Sequence, residues 1–235
     1  MGAFFDKVDD IITCGSATSL DALGPLTYSA WINAISIGEN NNGVILSKAN
    51  GTANFTSFAM GPTATLRFDV DYNTTDLARI ASNNSCSLNV WHHVLATWDG
   101  STTASNSRIY VDGIETSYQT TTNGDSTRQS DAAFNQHIGN TSSVNLTFDG
   151  IITEAAIWNV VLTTLEIENL AKSRIKGIPL QIRPDALKAY WPLNEYSENS
   201  AVTVSARDLS GNGNVGTPSS FATNAGRAEM VLSYL

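Results

Sequence analysis

Alternation of apolar with polar residues at period two recurs along nearly the whole chain, and it constrains the fold more than any other feature. TYSAWINAI (27–35), GVILSKA (43–49), TLRFDVDY (65–72), WHHVLATWD (91–99), SRIYVDG (107–113), FDGIITEAAIWN (148–159) and LKAYWPL (187–193) alternate in this way or are rich in β-branched and aromatic residues. Clusters of Gly, Asn, Asp and Pro separate them, which is the turn chemistry of antiparallel sheets. Many short strands at close spacing predict an all-β fold, an antiparallel β-sandwich of jelly-roll type. One short surface helix is expected beside it: Thr163 stands three residues before Glu166, a capping-box spacing, and Leu165, Ile167 and Leu170 follow.

A chain of 235 residues that is 42% hydrophobic buries one sizeable core, and nothing in it demands two. It reads as a single domain with a main body over 1–176, a stiff proline-bearing connector over 177–186, and a segment over 187–235 that completes the sandwich. The formal charge is −9, from 13 basic and 22 acidic residues, with no Lys/Arg cluster of the kind that neutralises phosphates. Nucleic acid is therefore not an expected partner. No window reaches the ~18 apolar residues that a spanning helix requires, so membrane insertion is not expected either. MGAFFDKVDDII carries acids where a secretory leader has a basic region and a long apolar run, so export by that route is not expected. Cys14 and Cys86 lie outside any Cys-x-x-Cys spacing and are either small buried residues or a single bridge.

The residues offer little for catalysis. Glycoside hydrolysis needs two carboxylates ~5 to 9 Å apart, and FDVD, with Asp69 and Asp71, is the one strand with acids at alternate positions. They read as a solvated strand face, with Phe68 and Val70 inward. Asp149 and Glu154 are five apart, which on a regular strand puts them on opposite faces. His92, His93 and His137 suggest no nucleophile and base. Trp31, Trp91, Trp98, Trp158 and Trp191 all fall in strands and read as core. The candidate sugar-stacking rings are then Tyr72, Tyr118 and Tyr196, with Tyr234, in or near predicted loops. For a hard cation such as Ca2+, DLSGNGN (208–214) supplies Asp208, Asn212 and Asn214 in a tight Gly-bearing loop, and Asp9 and Asp10 are further oxygen donors for the set.

WHHVLATWDG (91–100), RIYVDGIE (108–115), HIGN (137–140), FDGIITEAAIWN (148–159) and LTTLEIENL (162–170), in that order, resemble the laminin-G-like, concanavalin A-type jelly-roll family. The resemblance runs from about Phe4 to about Leu170. It implies that fold, which laminarinase-type glycoside hydrolases share; the want of a convincing catalytic carboxylate pair points to a recognition module rather than an enzyme. Some members hold calcium, often with acids near the strand that begins FDG; here Thr153-Glu154 stands where an acidic pair is usual. In the family, the stretch equivalent to AYWPLNE through DLSGNGNVGT precedes the strand equivalent to AFFDKVDDII. Here it follows, so the chain looks like a circular permutant, the alternative being a truncated second repeat. A permutant requires residues 187–193 to share a sheet with residues 3–12.

The connector and SGNGN loop are similar to laminin-G-like proteins among tailed-phage structural genes. That similarity implies a non-catalytic virion surface or decoration protein. Its expected partners are capsid or tail proteins and cell-surface or environmental glycans, and a homo-oligomer is expected. The alternatives are a free-standing extracellular lectin and a glycoside hydrolase of the same fold.

Overall fold

The computed structural model describes residues 2–49, 56–172, 178–195 and 204–221, which form two antiparallel sheets packed as a sandwich. The seven-stranded sheet holds β1 (Ala3–Asp6), β3 (Leu26–Ala34), β8 (Trp91–Trp98), β9 (Arg108–Val111), β10 (Ile114–Glu115), β13 (Asp149–Trp158) and β14 (Leu187–Trp191). Its order is β1-β13-β3-β8-β9-β10, with β14 also on β13. The eight-stranded sheet holds β2 (Ile11–Thr13), β4 (Val44–Lys48), β5 (Thr56–Gly61), β6 (Thr65–Val70), β7 (Leu77–Ala81), β11 (Tyr118–Thr122), β12 (Gln136–Ile138) and β15 (Thr217–Ser219). There the order is β11-β7-β6-β5-β4-β12-β2-β15.

Alternation decides which side of each strand is dry. Tyr28, Ala30, Ile32 and Ala34 of β3, Val94, Ala96 and Trp98 of β8, and Leu66, Phe68 and Val70 of β6 meet between the sheets. Phe68 and Val70 thus point inward as the sequence suggests. Asp69 and Asp71 do not form a solvated face: each is only 5% exposed, and the guanidinium of Arg67 grips both oxygens of Asp69 at 2.7 and 2.8 Å. Cys14 and Cys86 are both buried and free.

A second apolar cluster lies on the outward side of the seven-stranded sheet, where the helix α1 (Thr164–Ala171) covers Leu95, Ala156, Trp158 and Tyr190. The capping box forms: the Glu166 N–H donates to Thr163 Oγ1, and the Thr163 N–H donates to Glu166 Oε2. Such a cap contributes about 1 kcal/mol. Ile167 and Leu170, three apart, point down onto the sheet. Leu165 points into solvent, because one short helix has a single buried stripe.

The tail contributes to both sheets. On the edge of β13 away from β3, β1 pairs with residues 149–152 and β14 with residues 155–158, so the first strand and the tail strand share one side of one neighbour. Residues 11–13 lie in the other sheet, where β15 pairs with β2. Tyr190, Trp191 and Leu193 are fully buried.

Candidate functional site

Two tryptophans break the apolar rule on the outward side of the seven-stranded sheet. Ile32 and Val94 face the core, so alternation sends Trp31 and Asn33 of β3, and Trp91 and His93 of β8, to the opposite side. In register, Trp31 lies opposite His93 and Asn33 opposite Trp91, which makes the two indoles diagonal neighbours. Trp98, Trp158 and Trp191 are fully buried, as expected for core, but Trp31 and Trp91 are partly exposed. Assignment of all five to the core is corrected for these two. Between them the Asn33 side chain is 6% exposed, and its Oδ1 has no hydrogen-bond partner among the described residues.

Next to this strip, under α1, lies a polar pocket. His93 Nε2 is 2.9 Å from Ser29 Oγ, and the His93 and Trp31 rings are 5.5 Å apart. Ser29, Trp31, His93, Glu154, Leu170, Ile178 and Pro179 enclose about 10 Å³, space for one water and not for a sugar. Glu154 reaches it through a β-bulge, with φ of 51° and a register shift in β13 between Thr153 and Ala156. The extra residue reverses the strand's parity. Glu154 therefore joins the outward side with Ala156, where it accepts the Tyr190 hydroxyl at 2.5 Å, and the opposite-face reading for a regular strand does not apply.

Burial pushes His93 down to about 4, against a smaller opposing pull from Asp112, and burial likewise pushes His137 down to about 4. Both are neutral when folded, whereas in the unfolded chain they take up a proton near pH 6.5. Their contribution is present above pH 6.5 and lost as pH falls toward 4, by up to ~3 kcal/mol each, because every tenfold difference in proton affinity is worth ~1.4 kcal/mol. Asp10 acts oppositely. Burial, with the neighbouring Asp6 and Asp9 carboxylates, pushes it up to about 7 from 3.8, so its contribution is present at low pH and lost as pH rises through 7. Burial pushes Asp69 up as well, in the same sense as Asp10; the two histidines oppose both carboxyls, so the urea midpoint should fall as pH drops from 6.5 to 4.5, less steeply in His137→Gln. A midpoint flat across that range, or a slope unaltered by the substitution, would contradict this assignment.

The residues singled out in the sequence are placed as follows. Tyr72 is 5% exposed, its ring lies against Gly124, and its hydroxyl donates to the Ser101 carbonyl at 3.0 Å. Tyr118 is half-buried at the core margin, with the Arg79 guanidinium 3.4 Å above its ring centre and its hydroxyl shared between Glu115 and the Ile109 N–H. Tyr196 and Tyr234 lie outside the described residues. In the Gly-bearing loop, the Asp208 carboxylate accepts the backbone N–H groups of Tyr190, Ser210 and Asn214. Asn212 Nδ2 donates to the Leu187 and Lys188 carbonyls. Asn214 donates to the Lys188 carbonyl and accepts from Ser19 Oγ. These side chains hold the loop against β14. Asp10 gathers with Asp6 and Asp9 at the turn between β1 and β2.

Solved structures share the architecture. A candidate carbohydrate-binding protein of Bacteroides ovatus is similar over 93% of this chain, at 16% identity and a TM-score of 0.61, and this chain covers 58% of its length. The CBM40 of the Ruminococcus gnavus IT-sialidase, solved with α2,3 sialyllactose, is similar over 73% of this chain and 98% of its own, at 12% identity and a TM-score of 0.52. No curated protein sequence matches the chain. With the sandwich, its strand order and the capped helix in place, and with residues 6–168 matching the family model described as concanavalin A-like lectin/glucanases superfamily, this chain belongs to that laminin-G-like family.

Proposed function

We propose that this protein is a non-catalytic glycan-recognition module carried on a phage virion as a surface decoration protein. The observation that carries the recognition reading is the strip Trp31–Asn33–Trp91. Indole faces stack on the apolar faces of sugar rings, and Trp31 and Trp91 stand as diagonal neighbours on one face of the sheet. The binding of sialyllactose by a domain of the same fold supports the reading by analogy. The engagement of the acids favours recognition over hydrolysis. Asp69 is forked to Arg67, and Glu154 accepts the Tyr190 hydroxyl beside a cavity of one water's size. The tail strand's place beside β1 supports the permuted order. Virion display rests on the similarity of the connector and SGNGN loop to phage laminin-G-like proteins.

The test is a broad glycan array, followed by titration of the best ligand against Trp91→Ala. Trp91 is partly exposed at the start of β8, so its truncation should leave the fold intact. Loss of one stacking ring is expected to weaken binding by about tenfold or more, equivalent to ~1.4 kcal/mol. Absence of any glycan signal would overturn the recognition reading. Full binding in both Trp91→Ala and Trp31→Ala would move the site elsewhere on the domain.

A further inference from the structure

We propose that Ser87 is an acyl-acceptor serine, activated by His92 with Asp112 behind it, which takes one acyl group from an activated donor such as an aryl ester or a thioester. Ser87 Oγ lies 2.7 Å from His92 Nε2, and His92 Nδ1 lies 2.7 Å from Asp112 Oδ2. A carboxylate only accepts, so Nδ1 carries the ring proton and donates it to Asp112. In the neutral imidazole Nε2 is then the acceptor, and the Ser87 hydroxyl donates to it. Nucleophile, base and orienting acid in that order make a serine hydroxyl reactive. The sequence conceals the set, because Ser87 sits in a loop and Asp112 belongs to a turn 20 residues past His92.

The backbone holds each member in place. Asp112 and Gly113 join β9 to β10 with φ of 52° and 82°, the left-handed pair of a tight hairpin turn. There the Asp112 N–H donates to the His93 carbonyl at 2.8 Å and its Oδ1 accepts the His93 N–H at 2.9 Å, which leaves Oδ2 for the His92 ring. His92 stands opposite Ile32 near the start of β8, with 13% of its side chain exposed. The loop carrying Ser87 is pinned on both sides, by the Cys86 N–H on the Ala64 carbonyl at 3.2 Å and the Asn89 N–H on the Ala34 carbonyl at 2.7 Å. Ser87 itself is exposed, so a donor reaches it from solvent. In the transfer, His92 Nε2 takes the Ser87 proton as Oγ bonds to the acyl carbon. The bond from that carbon to the donor's oxygen or sulfur breaks, and the leaving group departs with the proton from His92. The products are a serine ester and a free phenol or thiol. An exposed acyl carbonyl meets water rather than fixed, dry donors, and a serine alkoxide is a poor leaving group, so the ester persists and one equivalent per chain is taken up. Glycan recognition at Trp31 and Trp91 is separate from this step, and the domain remains without turnover.

The experiment treats the full-length protein with p-nitrophenyl acetate, and in parallel with phenylmethanesulfonyl fluoride, and follows labelling peptide by peptide in the mass spectrometer. Label is expected on Ser87 at least about tenfold faster than on Ser130, an exposed serine whose hydroxyl oxygen accepts the Ala132 N–H at 3.4 Å. His92→Gln should bring Ser87 down to the rate of Ser130. Asp112→Asn keeps a residue suited to the turn but frees the ring to take the other tautomer, so it should slow Ser87 labelling by about tenfold with the circular dichroism unaltered. In the wild type the rate should rise with pH across the imidazole range, about 5 to 8, and then level off, a plateau that His92→Gln should lack. Equal labelling of Ser87 and Ser130 in the wild type would overturn the proposal, as would a Ser87 rate unaltered in His92→Gln. Nitrophenol released through Ser87 well beyond one equivalent would overturn uptake without turnover and make the domain a hydrolase.

Discussion

A chain ended at Ala186 is expected to lose cooperative unfolding, and Trp191→Ala in the full chain to cost about 3–5 kcal/mol. Both follow from the position of the tail. Trp191 is fully buried in the main core, and its indole N–H donates to the Asn214 carbonyl at 2.6 Å, which ties β14 to the loop held by Asp208. Removing the tail would expose the outer edge of β13 opposite residues 155–158, strip Tyr190 from the cluster under α1, and uncover β2 where β15 pairs. A bare edge beside a half-open core costs far more than one side chain. A permuted domain needs this segment, whereas a truncated second repeat does not. Urea unfolding followed by fluorescence and circular dichroism separates the two: a shortened chain with a sharp transition near the full-length midpoint would establish residues 1–186 as complete in themselves.

Much of the fold is legible in the sequence because buried β strands carry their own signature. Every segment named for its alternation is a strand, and the helix begins at the capping box that announces it. β5, TSFAMG, and β7, LARIA, are not legible in this way, because neither alternates strictly between apolar and polar residues and their neighbours in the sheet stabilise them. The site is less legible. Tryptophan in a strand is usually core, and that expectation hides Trp31 and Trp91. The signal that places them outside is nonetheless present, since Ile32 and Val94 fix the inward parity and put both rings on the other face. Glu154 cannot be placed from sequence, because one bulge reverses the count and no residue in IITEAAIW announces it. The gathering of Asp6 with Asp10 depends on a turn in which Lys7 takes a φ of 69°, and alternation carries no information about turns.

Lys48→Met is expected to destabilise the protein by about 3–5 kcal/mol, the cost of breaking a buried ion pair from one side. Alternation along VILSK places this lysine on the inward side, where it is 1% exposed. Its ammonium donates to the Leu20 carbonyl at 2.8 Å and to Asp21 at 2.6 Å, with Asp131 at 3.6 Å. Asp131 also accepts the Ala22 N–H and the Arg128 guanidinium, and Arg128 in turn lies over the Trp98 ring and donates to the Leu23 carbonyl. Lysine and arginine together therefore hold residues 20–23 as they enter β3. Methionine fills the space of the stem but leaves Asp21 and Asp131 close together without the cation between them. Adding Asp21→Asn should recover part of the loss, because it removes the carboxylate left unmatched, and a double-mutant cycle in urea measures that coupling. Strict additivity of the two substitutions would show that the pairing with Asp21 contributes nothing, leaving the Leu20 carbonyl bond, Asp131 and stem packing as what the lysine supplies. A positive coupling would show that the charge pair itself fixes this end of the sandwich. The alternation that reveals the strands cannot show such a pair, because its partners come from separate loops.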